Sequence, residues 1–196
     1  MVLIAASFIL ANQDNTLSSA EKRAGWKLLF DGKTTTGWHN FNKEGVGPGW
    51  VIKDGVLTSV NASTAGDIVT NDKYDWFELD LDFKLTKGGN SGVMIHCSDD
   101  EGFAMWNSGP EVQIYDDHGE EGAQKTGFLY DLYDSKVDAS KPVGEWNHFH
   151  IIIAPRKWAT YVNGVKYWEF EPGTKDFWDR VKKSKFNEWP FFARYQ

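Results

Sequence analysis

The most constraining stretch of this chain is a nine-residue alternation. Phe77, Leu79, Leu81, Phe83 and Leu85 alternate with Glu78, Asp80, Asp82 and Lys84. A period of two sends successive side chains to opposite faces of an extended backbone, so one face is apolar and the other wet. Such a strand is stable only in an antiparallel sheet covered on one side. The surrounding sequence follows suit. From Gly25 onward, short apolar or alternating runs are broken by Gly, Asn and Asp every eight to twelve residues, the pattern of an all-β domain.

Strands are expected at Trp26–Phe30, Trp50–Lys53, Val56–Ser59, Asp67–Thr70, Phe77–Leu85, Gly92–Cys97, Glu111–Tyr115, Gly127–Leu132, His148–Ala154, Trp158–Val162 and Val165–Phe170. Lys53-Asp54-Gly55-Val56 and Val162-Asn163-Gly164-Val165 read as tight hairpins, because Asp-Gly and Asn-Gly accept the positive φ of a type I′ turn. Two helical pieces complete the reading: a turn over Ser18–Ala24 with a Ser cap, and a surface helix over Lys175–Lys185. No fixed-period repeat or low-complexity tract interrupts residues 25–196, which are expected to form one β-sandwich domain.

Before it, residues 1–12 form an apolar segment of signal-peptide length, too short to span a bilayer, without the positive residues that usually precede such a core. Residues 13–24 read as a leader containing the short helix. The expectation is a protein without a membrane span, exported to the periplasm or the extracellular space. The single cysteine, Cys97, excludes an internal disulfide and a multi-cysteine metal cluster, and reads as a buried inert thiol. With 21 Lys and Arg against 28 Asp and Glu, the net charge of −7 argues against nucleic acid as a partner. Ten Trp are more than a core needs, since each buried indole N–H requires an acceptor, and they suit a carbohydrate partner.

Four segments carry candidate chemistry. In Gly88–Cys97, Met94 and His96 share one strand face while Val93, Ile95 and Cys97 face the core, so His96 is either a solvated strand residue or a cleft residue. In Ser108–Gly119, Glu111, Gln113 and Tyr115 line the face opposite Val112 and Ile114, a row suited to a polyol. Asp116, Asp117 and His118 follow where the strand ends; His118 beside two carboxylates is an acid/base candidate or part of an acidic turn. In Phe128–Tyr133, Tyr130 and Leu132 share a face, and the segment either walls a cleft or is an ordinary aromatic-rich edge strand. His148 and His150 place two imidazoles on one strand face, but no third ligand accompanies them, and a surface strand is the expectation; no metal site is assigned, and no cofactor. Ser91 and Ser108 lie in turn-like settings, without a nucleophile elbow.

Several stretches resemble, in order, the 3-keto-disaccharide hydrolase domain family. They are Gly25-Trp26-Lys27-Leu28-Leu29-Phe30-Asp31-Gly32 with Gly37-Trp38, Asn90-Ser91-Gly92-Val93, Gly109-Pro110-Glu111-Val112-Gln113-Ile114, Gly127–Tyr133, Lys141–Asn147 and Val162–Val165. Each is weak alone and together they are specific. The resemblance implies a concanavalin A-like jelly-roll β-sandwich, typically exported by bacteria that degrade glycans. Two departures stand out: His96 occupies a position where the family pattern has Arg, and the family's closing Gly-His-Ile-Ala-Leu-Gln-Asp-His-Gly segment is not found before Gln196, so the domain reads as C-terminally truncated.

The substrate class implied by the resemblance suggests a route. A ketone at sugar C3 acidifies the C2 proton, a base removes it, the aglycone leaves C1, and water adds to the resulting double bond. His118 and Glu111 are the expected base and orienting groups, with His96 and Tyr130 as donors. Asn90, Gln113 and Asp117 are assigned to substrate hydroxyls, and Trp106 to the cleft. The alternative is a non-catalytic, lectin-like carbohydrate-binding module, which would share the fold and the aromatic residues.

Overall fold

The computed structural model describes residues 15–98, 104–116, 122 and 124–193. They divide into two compact units, with the boundary between Lys73 and Tyr74.

The first unit begins with helix α1 (Ser19–Ala24), closed by a capping box between Ser18 and Glu21 and ended by Gly25 at φ +90°. Strand β1 (Trp38–Asn40) pairs with β4 (Ile68–Thr70). Between them lie the hairpin β2 (Trp50–Lys53) and β3 (Val56–Ser59), and the short helix α2 (Ala62–Ala65). Asp54 at φ +51° and Gly55 at φ +78° make the expected turn. The expected strand at Trp26–Phe30 is irregular instead. Its backbone joins no ladder, and the Leu29 carbonyl accepts the Trp38 indole N–H at 2.6 Å. Asn40 is buried and satisfied: its amide donates to the carbonyls of Ala65 (2.6 Å) and Asp67 (3.0 Å) and accepts from the Gly47 N–H.

The second unit is an all-β sandwich. Strand β5 (Phe77–Phe83) is the alternating run, ending two residues earlier than its pattern. It pairs with β8 (Asn147–Ala154) in a four-stranded antiparallel sheet, continued by β9 (Lys157–Val162) and β10 (Val165–Phe170) in the order β10-β9-β8-β5. Asn163 at φ +48° and Gly164 at φ +82° turn β9 into β10. The smaller layer pairs β6 (Asn90–Met94) with β7 (Glu111–Tyr115). On its other edge β7 is bonded to the chain around Leu129: Gln113 N–H donates to Phe128 O (2.9 Å), Gly127 N–H to Gln113 O (2.8 Å) and Tyr130 N–H to Glu111 O (2.9 Å).

Val112, Ile114 and Leu129 of this layer share one core with Phe149, Ile151, Ile153, Trp158 and Val162 of the larger sheet. Phe177 and Val181 of helix α4 (Lys175–Lys183) join it, while helix α3 (Met105–Ser108) precedes β7. Burial pushes the Tyr167 hydroxyl up to about 12, where it sits between Asp138 and the Ala139 amide.

Three further expectations are corrected. Phe128–Tyr133 is a turn and not a strand: Leu129 bridges back to Tyr133, and Asp131 takes φ +56°. The helix from Lys175 stops at Lys183, where Ser184 leaves helical geometry and its hydroxyl caps a 3-10 turn over Lys185–Glu188. Cys97 is half-buried, not sealed in the core. Among the described residues no helix is long and apolar enough to cross a membrane.

Candidate functional site

Strand β7 carries a polar row on the face away from the core. Val112 and Ile114 enter the core, so the alternation sends Glu111, Gln113 and Tyr115 to the opposite face. Gly92 on β6 lies opposite Gln113. The Glu111 carboxylate lies across Gly92, and a Cβ there would coincide with it. Glycine at this position therefore makes room for an acid on the sheet face.

Gln113 is only 2% exposed. Its Nε2 donates to Asn90 Oδ1 at 2.9 Å, while its Oε1 has no partner. A buried amide oxygen left unmatched costs about 1–3 kcal/mol, so it is the kind of group that a ligand hydroxyl completes. Asn90 is exposed beside it. Tyr130 reaches the same row through its backbone N–H bond to Glu111, and its hydroxyl accepts from Gln124 Nε2 at 2.5 Å. The Lys185 ammonium stands 3.9 Å from the Tyr130 ring centroid.

From Tyr130 a run of ring contacts leads outward. Phe186 meets Tyr130 edge-on (6.1 Å between centroids), Trp189 meets Phe186 (5.1 Å) and Trp106 meets Trp189 (4.9 Å). Trp106 is 53% exposed, a large indole that the core does not use.

The structure thus brings Asn90, Glu111, Gln113 and Tyr130 together and links Trp106 to them through aromatic contacts. His96 is placed otherwise. Strand β6 ends at Met94, and at φ +48° the His96 backbone turns its ring edge-on to Trp76 (5.6 Å) and to the core residue Trp158 (5.1 Å). Its Nε2 lies 2.7 Å from the Asp75 carbonyl and its Nδ1 is buried without a partner. Period-two counting put His96 on the Glu111 side because it assumed the strand continued to Cys97.

Asp117 and His118 lie outside the described residues. Asp116 is spent on the scaffold, its Oδ2 accepting the Gly88 N–H at 2.7 Å. Gln124 and Lys185 were missed by sequence reasoning. Gln124 stands in no periodic run, and Lys185, at the end of the expected helix, meets Tyr130 from 55 positions away.

His148 and His150 interlock with β5. His148 Nδ1 is 2.9 Å from Asp82 Oδ1, and His150 Nδ1 is 2.8 Å from Asp80 Oδ1. Among the described residues, no group of three or more His, Cys, Asp or Glu is arranged to hold a metal ion. A shallow pocket lined by Phe83, Leu85, Tyr115, Asp116 and Lys141 opens at the C-terminal end of β7 and includes none of Glu111, Gln113 or Tyr130.

The chain resembles known proteins along nearly its whole length. Residues 25–188 match the model of the 3-keto-alpha-glucoside-1,2-lyase-like domain family. A Bacteroides thetaiotaomicron protein named 3-keto-disaccharide hydrolase is 29% identical over 191 residues, covering 85% of this chain and 66% of that relative, a little under two thirds of its length. A crystal structure from Parabacteroides distasonis, described as a candidate glycosyl hydrolase, superposes with a TM-score of 0.83 at 35% identity, covering 91% of this chain and 86% of that one. A second from the same organism, with the same description, gives 0.56 at 34% identity over 68% and 72%. The match to 164 of 196 residues shows that the chain belongs to the 3-keto-alpha-glucoside-1,2-lyase-like domain family.

Proposed function

We propose that this protein cleaves 3-keto-glycosides or 3-keto-disaccharides, with the β7 face as its active site. The observation that carries the reading is a carboxylate beside an unmatched amide oxygen: Glu111 is laid across Gly92, next to the buried Gln113, whose Oε1 lacks a partner. Family membership supplies the substrate class, through a relative named for 3-keto-disaccharides.

The chemistry is an elimination followed by a hydration. The C3 ketone makes the C2 proton acidic. A carboxylate or imidazole takes that proton, breaking the C2–H bond, and the electron pair passes through C2 and C3 onto O3. The pair then returns from O3, the C1–O bond breaks, and the aglycone departs with a proton from an acid. Water adds across the C1–C2 double bond, so one water is consumed per bond cleaved. Glu111 is the proposed base, and His118 and Asp117, which follow strand β7 in the sequence, are assigned to proton transfer and hydroxyl contacts. Gln113 Oε1 and Asn90 bind sugar hydroxyls, and Tyr130 closes the row. Trp106, edge-on to Trp189, offers its exposed ring to the second sugar or the aglycone.

The exposed Trp106, backed by the half-buried Trp189, also fits a lectin-like module that binds sugar without turning it over. One assay separates the two readings. The protein is incubated with a 3-keto-disaccharide and with the unoxidised parent sugar. Cleavage of the keto sugar alone is the expected result. Binding of either sugar without turnover contradicts the enzyme reading.

A further inference from the structure

We infer that Lys185 is the cation that stabilises the enolate oxygen O3 in this reaction, an assignment that rests on the keto-sugar reading above. Elimination from a 3-keto sugar places a full negative charge on O3 in the intermediate, close to a carboxylate base. The rate then depends on a donor aimed at the position of that oxygen before the charge appears.

The setting of Lys185 differs from that of Lys157, Lys166 and Lys175. Lys157 and Lys166 both meet Glu169 within 3.4 Å, and Lys175 meets Asp179 at 2.5 Å. Those ammonium groups are neutralised by a carboxylate. Lys185 instead stands over three rings, 3.9 Å from the centroid of Tyr130, 5.4 Å from Phe186 and 5.7 Å from Trp189. Among the described residues no carboxylate pairs with its ammonium. Ring quadrupoles hold a cation without supplying an anion, so the positive charge and its N–H donors stay available.

The backbone beneath it is fixed from two sides. The Lys185 N–H donates to Asp131 Oδ2 at 3.0 Å, and Asp131 holds φ +56° directly after Tyr130. On the other side, the Ser184 hydroxyl accepts the Phe186 N–H at 3.2 Å, and Phe186 is buried and stacked on Phe192 with 4.1 Å between centroids. Backbone links tie the two segments together: the Glu111 main-chain carbonyl accepts the Tyr130 N–H, the carboxylate of its neighbour Asp131 accepts the Lys185 N–H, and the ammonium stands back over the Tyr130 ring. In this assignment the sugar lies beside the Tyr130 ring with its C3 carbonyl toward the ammonium. As the C2–H bond breaks and charge reaches O3, Lys185 donates a hydrogen bond and keeps its proton. When the pair returns from O3 to expel the aglycone, the bond relaxes, and the lysine is unchanged at the end of the cycle.

The test compares wild type with Lys185→Gln, Lys185→Ala and Lys185→Arg on a methyl 3-keto-glucoside. It follows product release, loss of the H2 signal in deuterated water by NMR, and the thermal midpoint. Lys185→Gln is expected to lower kcat and H2 exchange together by about 10²–10³-fold, the usual effect of removing one oxyanion donor, with KM nearly unchanged. Lys185→Arg should recover most of the lost rate. Ethylammonium should partly rescue Lys185→Ala, whereas tetramethylammonium, which has no N–H, should not. A Lys185→Gln variant with wild-type kcat, or one impaired only in KM, overturns the assignment of Lys185 and leaves the keto-sugar reading standing. So does a loss that tracks a fall in thermal midpoint and is rescued by neither Arg nor ethylammonium. A wild-type protein that neither cleaves the keto sugar nor exchanges H2 overturns both.

Discussion

Two rows of polar side chains alternate with core residues in the second unit, and they end in different states. On the outer face of β5 and β8, Asp80 Oδ1 lies 2.8 Å from His150 Nδ1 and 3.3 Å from His148 Nε2, while Asp82 Oδ1 lies 2.9 Å from His148 Nδ1. Cross-strand neighbours consume one another's bonding capacity, and the row is framework. On β7, Gln113 donates to Asn90 but keeps an unmatched buried Oε1, and Glu111 lies on a glycine that makes room for it. The first row is richer in histidine and carboxylate, and composition alone would favour it as a reactive centre. Residual bonding capacity is the better discriminator, because a functional site holds groups whose partners arrive with the substrate.

Substitutions can break this comparison, and the largest effect is expected at Glu111. Glu111→Gln keeps the size of the side chain and removes the proposed base. Cleavage of a 3-keto-disaccharide should fall by about 10²–10⁴-fold, with a thermal midpoint close to that of wild type. Gly92→Ala is next. Its Cβ would occupy the space of the Glu111 carboxylate, so activity should fall by about 10²-fold while far-ultraviolet circular dichroism stays that of the wild type. Trp106→Ala should raise KM for the disaccharide about tenfold, equivalent to about 1.4 kcal/mol of lost stacking, with less effect on a methyl glycoside. The smallest effect belongs to the other row. Asp80→Asn should cost about 1 kcal/mol or less in chemical denaturation and leave turnover unchanged, because exposed ion pairs contribute little. If Asp80→Asn abolished turnover and Glu111→Gln did not, the two rows would have been read in the wrong order.

Where local rules decide geometry, the sequence was a sufficient guide. Strand β7 has the ends its alternation marked at Glu111 and Tyr115, and the β9–β10 hairpin turns at Asn163 and Gly164 with the positive φ that Asn-Gly permits. The cap of α1 is the box that Ser18 and Glu21 announce. Long-range contacts were not legible. Trp26–Phe30 has strand-like residues but no ladder partner, and its role is to offer the Leu29 carbonyl to Trp38. Asp131 takes a left-handed backbone that ends the run from Phe128, and its carboxylate is held by the Lys185 amide 54 residues away. His96 was misplaced for the same reason: a positive φ after Met94 reverses the face that counting by two assigns. The polar row at Glu111 and Gln113 could be read because alternation alone sets it. The placement of Lys185 depends on a helix end and a turn meeting in space, which no window along the chain contains.

The claim at the centre of this account is that the β7 face removes the C2 proton of a 3-keto sugar. The most direct measurement follows H2 of a methyl 3-keto-glucoside by NMR in deuterated water, with wild type and Glu111→Gln at equal concentration and comparable thermal midpoints. The account predicts rapid loss of H2 and release of methanol with wild type, and loss slowed at least about a hundredfold with Glu111→Gln. Equal rates of H2 loss from the two proteins would contradict it.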